Sequence, residues 1–163
     1  MSSVRNSDVD KTPRAVESEV NVLGTVLMWD GVSEFLHVDL PSFLASLEPQ
    51  DFLDSRHQRF WWSCLDLQKR GTPIDYITIA RNLNRVEKLE PGDCAYLTWI
   101  TAEYIPYHAD YHAKLVKDTA TQRKNLKSLG KAAQAVYQSD DKVVAESLRE
   151  IQVKRTNLKA IDL

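Results

Sequence analysis

Histidine and cysteine are the residues of this chain with the widest chemical repertoire, and their spacing limits what they can do. His108 and His112 are four apart, which places both on one face of a helix. With Asp110 or Asp118 nearby, such a pair is the beginning of a metal site and of a small metal-dependent hydrolase. A catalytic metal needs a third protein ligand, and the general base of an H-E-x-x-H helix is missing. No metal is therefore expected, and His112 reads as a packing residue. His57 follows Arg56 near a helix start. As a catalytic base it would need a Ser or Cys nucleophile on a tight elbow, and none lies near it. It reads instead as a hydrogen-bonding residue in a first helical turn. Cys64 and Cys94 lack CxxC spacing and read as buried free thiols in a reducing cytosol. Gly130-Lys131 has Asn125 where a phosphate-binding loop needs its first Gly, and Ala132 where it needs Ser or Thr. No catalytic, cofactor-binding or metal-binding residue is expected, and the chain is not read as an enzyme.

Composition points the same way. With 163 residues, 43% of them hydrophobic, the chain is long enough for a domain with a real core. A formal net charge of −2 argues against a dedicated nucleic-acid binder, so any DNA contact is expected to be weak or indirect. Lys114, Lys117, Arg123, Lys124, Lys127 and Lys131 gather on one helix and read as a solvated face. The four tryptophans, Trp29, Trp61, Trp62 and Trp99, sit among apolar neighbours, so at least three are expected in a core or interface. Adjacent Trp61 and Trp62 cannot point the same way on a helix, so one is expected to be partly exposed. No apolar run approaches the ~20 residues of a membrane span, and a cytoplasmic location is expected.

The elements that position these residues are helical. Only 5 Gly and 6 Pro occur, and no segment alternates as a strand should. Residues 1–12 read as a flexible tail. Thr12-Pro13 predicts a helix start, and Val16, Val20, Leu23 and Leu27 give that helix one apolar face, ended by Asp30-Gly31. Pro41 begins a short helix, Ser55 caps one running to about Lys69, Asp75 caps another, and Asp93 caps a fourth. These elements make a helical globule over 13–105.

Beyond Pro106 the texture changes. Two longer helices are predicted over 108–138 and 140–158, turning at Gln138-Ser139. Leu115, Thr119, Gln122, Leu126, Leu129, Ala133 and Val136 follow a four-three alternation, as do Val144, Leu148, Ile151, Arg155 and Leu158. This spacing predicts a coiled-coil seam between the arms of an antiparallel hairpin over 106–156. Val116, Tyr137, Val143 and Val153 fall off the seam and would stay wet unless a second chain covers them. The candidate interface is thus Leu115, Val116, Leu126, Leu129, Val136, Tyr137, Val144, Leu148 and Ile151. A homodimer is the simplest way to cover a self-complementary patch. Residues 157–163 read as the start of a linker.

One resemblance organises these segments. Glu19-Val20-Asn21-Val22-Leu23-Gly24 is followed by Asp51 to Phe60, then Gly71-Thr72-Pro73-Ile74-Asp75, Ala95-Tyr96-Leu97, and His112-Ala113-Lys114-Leu115-Val116 with Arg123 beyond. In this order and spacing the set resembles the N-terminal domain of the bacterial replicative DNA helicase of the DnaB type. Where that family has Gly-Gly before Ala-Tyr-Leu, this chain has Gly92-Asp93. The resemblance implies an all-α fold, a small helical globule followed by a helical hairpin. It also implies a non-catalytic collar that pairs through its hairpins, forms a hexamer in the full-length protein and docks primase, with a helicase loader as a further partner. ATP and Mg belong to the family's motor domain, not to this part. The alternative is a freestanding homologue that regulates helicase loading.

Overall fold

The first long helix, α1 (Val16–Leu27), is the axis of the molecule's larger unit: every residue from Ser18 to Leu27 is buried. A helix buried on all sides must be surrounded, and the next elements do that. In this computed structural model, which describes residues 12–105 and 107–151, the surrounding elements are all helical, and no strand occurs among the described residues. They are α2 (Trp29–Val32), α3 (Leu40–Ala45), α4 (Ser55–Lys69), α5 (Tyr76–Arg85) and α6 (Asp93–Glu103), with single 3-10 turns at Ser33–Phe35 and Pro49–Asp51. Two further helices follow, α7 (Ala109–Tyr137) and α8 (Asp141–Arg149). The all-α class expected from the sequence is what the chain forms. The tail up to residue 11, Pro106, the seam positions Arg155 and Leu158, Val153 and the linker over 157–163 lie outside the described residues.

Local chemistry sets several helix starts. Asp39 accepts from Ser42 N at 2.8 Å, with Pro41 in the first turn of α3. Asp54 accepts from Arg56 N at 2.7 Å, so the cap of α4 is one residue earlier than Ser55. Asp75 and Thr78 form a reciprocal capping box at α5, at 2.7 and 2.9 Å. Three expectations are corrected. Thr12-Pro13 does not begin α1; the helix starts at Val16 after Ala15, without a side-chain cap. It ends at Leu27 rather than at Asp30-Gly31, which lie in α2. Asp93 does not cap α6; Gly92 does, at φ 85. Fully buried, Asp93 instead binds Arg59 Nη2 at 3.0 Å and Arg56 Nε at 3.3 Å, so it ties α6 to α4.

The core is an aromatic cluster on α4. Trp61 is fully buried, donates Nε1–H to Leu47 O at 3.1 Å, and packs on Phe52 and Phe43 at centroid distances of 5.1 and 6.5 Å. Trp62, its neighbour, points elsewhere and lies under the Lys88 ammonium, 4.3 Å from the ring. Burial of Cys64 pushes its thiol up to about 12, so it is inert at neutral pH. Cys94, expected to be buried, is exposed.

At Gly24 the backbone of α1 lies against the Tyr104 side chain so closely that an added Cβ would collide with Tyr104 Cβ and Cγ. Gly24→Ala is therefore expected to destabilise the fold by about 1–3 kcal/mol, read as a lowered urea midpoint, even though alanine is the better helix former.

The first compact unit runs to Ala120, not to Ile105. Ala109, Ala113 and Val116 of α7 belong to its core, and Val116 is 0% exposed. Val116 is thus no interface residue: the apolar side chain that the sequence left wet is covered by the globule itself.

Candidate protein–protein interface

The second unit begins at Thr121 and contains the remainder of α7 and all of α8. The turn between the helices is built by local hydrogen bonds. Asp140 N donates to Ala135 O at 3.0 Å and Ser139 N to Val136 O at 3.1 Å. Ser139 sits in the left-handed region at φ 58, completing a Schellman end for α7. Asp140 then caps α8 by accepting from Val143 N at 3.1 Å. The hairpin turn falls at Gln138-Ser139 as expected. A left-handed serine costs energy that glycine does not. Ser139→Gly is expected to stabilise the hairpin by up to about 1 kcal/mol, measured as a rise in the thermal midpoint of its helical signal.

Between the arms, the seam differs from the one the spacing predicts. Among the described residues of this unit the buried ones are Ser128, Ala132 and Ala135 on α7 and Ser147 on α8. Ser128 Oγ donates to Glu150 Oε2 at 2.9 Å, from α7 to the end of α8. Small side chains at i, i+4 and i+7 let two helices approach closely. The larger residues assigned to the seam lie outside it. Leu126 is 55% exposed, Leu129 47%, Val136 62% and Leu148 51%. Tyr137, at the tip, is 91% exposed. Leu115 is half-buried in the first unit, and Val144 and Ile151 are half-buried in the second. The reason is geometric: the stripe of Leu126, Leu129 and Val136 is rotated roughly a third of a turn from the stripe of Ser128, Ala132 and Ala135. Hydrophobicity alone favoured the leucines; the alanine and serine spacing was the signal for the true seam. Two leucines and a valine left in water on one helix face make a patch of the kind that another surface covers, each side chain being worth about 1.5–3 kcal/mol when buried.

The residues with catalytic potential have structural partners. His57 is fully buried, its Nδ1 2.7 Å from Glu19 Oε2 and its Nε2 2.9 Å from the Tyr96 hydroxyl. A carboxylate only accepts, so the proton of this bond is on Nδ1, and Nε2 shares a hydrogen bond with the Tyr96 hydroxyl. Glu19 also accepts from Leu53 N at 2.6 Å and Asp54 N at 3.3 Å. Burial raises the Tyr96 phenol, and the Asp54 carboxylate adds to this. His57 therefore joins α1, α4 and α6; the sequence reading found its hydrogen-bonding role but not its partner Glu19. His108 precedes α7 at φ 63, and His112 Nδ1 lies 3.0 Å from Ser18 Oγ. Burial, then His108, lowers the His112 imidazole. Among the described residues no three His, Cys, Asp or Glu side chains converge as a metal site. No described helix is long and apolar enough to cross a membrane.

Comparison with known proteins agrees with this architecture. The family described as DnaB-like helicase N terminal domain matches residues 11–118. The replicative DNA helicase DnaB of Geobacillus stearothermophilus is 28% identical over 80% of this chain and 28% of its own length. The replicative DNA helicase DnaC of Bacillus subtilis is 31% identical over 80% of the chain and likewise 28% of its own length. The chain therefore spans just over a quarter of these relatives. The crystal structure of the N-terminal domain of DnaB helicase from Mycobacterium tuberculosis superposes with a TM-score of 0.73 at 28% identity, covering 86% of this chain and 99% of that one. This chain belongs to the DnaB-like helicase N-terminal domain family.

Proposed function

We propose that the chain is the non-catalytic collar of a replicative DNA helicase and that it works by assembly. The observation that carries this reading is the exposed stripe of Leu126, Leu129 and Val136 on α7, with Leu148 on α8, in a domain of this family. Two copies of the hairpin cover each other's stripes in an isologous pair, and pairs close into a hexamer in the full-length protein. Primase docks on the assembled collar, with a helicase loader as a further partner. ATP and Mg are handled by the motor domain that the resemblance implies, and this chain contributes no group to them. Its contact with DNA is weak or indirect, in keeping with the net charge of −2. The site of action is the cytoplasm.

Co-elution with the primase from the same cell tests the docking half. Wild-type chain mixed with primase at about 50 µM each is expected to migrate as a complex, and Leu129→Glu is expected not to. Separate elution of the wild type from primase removes docking from the proposal while leaving assembly standing.

A further inference from the structure

A cleft of about 390 Å³ opens on the first compact unit between α1, α6 and the start of α7. Three aromatic rings line it, Tyr96, Trp99 and Tyr104, together with the carboxylates of Glu17 and Glu103. Asn21 also lines it, only 5% exposed, and among the described residues its Oδ1 has no hydrogen-bond partner. A buried amide oxygen without a donor is costly, and in most proteins such an atom finds a partner.

The aromatic wall is rigid at the back and open at the front. Tyr96 is held by His57 through the 2.9 Å hydrogen bond. Trp99 stacks on Tyr96 at 5.2 Å with an interplanar angle of 21°, yet is itself 45% exposed. An indole fixed on one side and wet on the other is a ready stacking surface. The electrostatics choose the ligand's sign. Glu17 and Glu103 are exposed and have no ion-pair partner among the described residues. Arg56 lies 4.7 Å from the Tyr96 ring but is engaged by Asp93 at 3.3 Å. His112, which also lines the cleft, has its imidazole lowered by burial and then by His108, which favours its neutral form. Phosphates would meet two carboxylates here, so nucleic acid is disfavoured.

We propose that this cleft docks an arginine side chain from a partner protein, seated on Trp99 between Glu17 and Glu103. A guanidinium satisfies every feature of the site. Its plane stacks on an indole, its N–H groups bond carboxylates, and it is more weakly hydrated than an ammonium. One N–H directed to the floor supplies the donor that the Asn21 carbonyl lacks. Every residue lining the cleft belongs to the first compact unit and Leu129 to the second, so Leu129→Glu is expected to leave arginine binding unchanged.

The test is a nuclear magnetic resonance titration of the full chain with acetyl-Leu-Arg-Leu-amide, and with the same peptide carrying neutral citrulline in place of arginine. The arginine peptide is expected to shift the Trp99 indole N–H and the Asn21 side-chain amide saturably, with a dissociation constant of about 1 mM or tighter. The citrulline peptide is expected to bind at least about tenfold more weakly. The surface double variant Glu17→Gln/Glu103→Gln and, separately, Trp99→Ala are each expected to weaken arginine binding at least about fivefold, with the rest of the spectrum unmoved. Equal binding of the two peptides, shifts confined to other surfaces, or no saturation at about 10 mM would overturn the proposal. So would shifts of the same residues on concentrating the protein alone, which would make a second copy the occupant.

Discussion

Glu19→Ala is expected to cost about 3–5 kcal/mol of stability, a large part of what a domain of this size has. The carboxylate is fully buried and receives three donors, His57 Nδ1, Leu53 N and Asp54 N. Removing it strands all three in a place that water does not reach, and it unfastens α1 from the start of α4. His57→Ala is expected to be severe for the mirror-image reason, since it leaves a buried carboxylate short of its partner and Tyr96 without its hydrogen-bond partner. Glu19→Gln keeps one oxygen acceptor and should fall between wild type and alanine. Urea denaturation followed by circular dichroism reads all three; a loss below about 1 kcal/mol for Glu19→Ala would show that the network is not a fastening of the fold.

That network shows how far the sequence could be read. The helices were legible from caps and periodicity: Asp75, Pro41 and the turn at Gln138-Ser139 act where local chemistry places them. The start of α1 was not: it lies at Val16, after Ala15 and without a side-chain cap, and the grip of Glu19 on residues 53, 54 and 57 is a long-range contact with no local signal. Asp93 misled through a long-range contact too. It has the right type and position for a cap, but two arginines from α4 claim its carboxylate. The tryptophans follow the reading of the pair at 61 and 62: Trp61 is buried and Trp62 partly exposed, while Trp99 is left 45% exposed.

The hairpin carries the opposite lesson. Its existence and turn follow from the pattern, but its seam does not, because the four-three rule selects large apolar residues. Here the arms close on Ser128, Ala132, Ala135 and Ser147. The correction changes what mutations should do. Leu129→Glu, which would break the hairpin if Leu129 were in the seam, is now expected to leave it folded, because Leu129 is 47% exposed. A charge at a self-complementary interface is buried twice in each pair, and each unpaired charge costs several kcal/mol. Association should weaken at least about a hundredfold, equivalent to about 3 kcal/mol. Ala132→Glu makes the contrast: Ala132 is 6% exposed, so a carboxylate there is expected to separate the arms and remove the helical signal of α8.

The central claim, that the outward leucine stripe joins two copies, is tested most directly by sedimentation equilibrium of the full chain with circular dichroism on the same samples. At about 100 µM the wild type is expected to be dimeric or larger, and Leu129→Glu monomeric with unchanged helical content. A wild type that remains monomeric at that concentration, or a Leu129→Glu variant that associates as well as the wild type, would contradict the account.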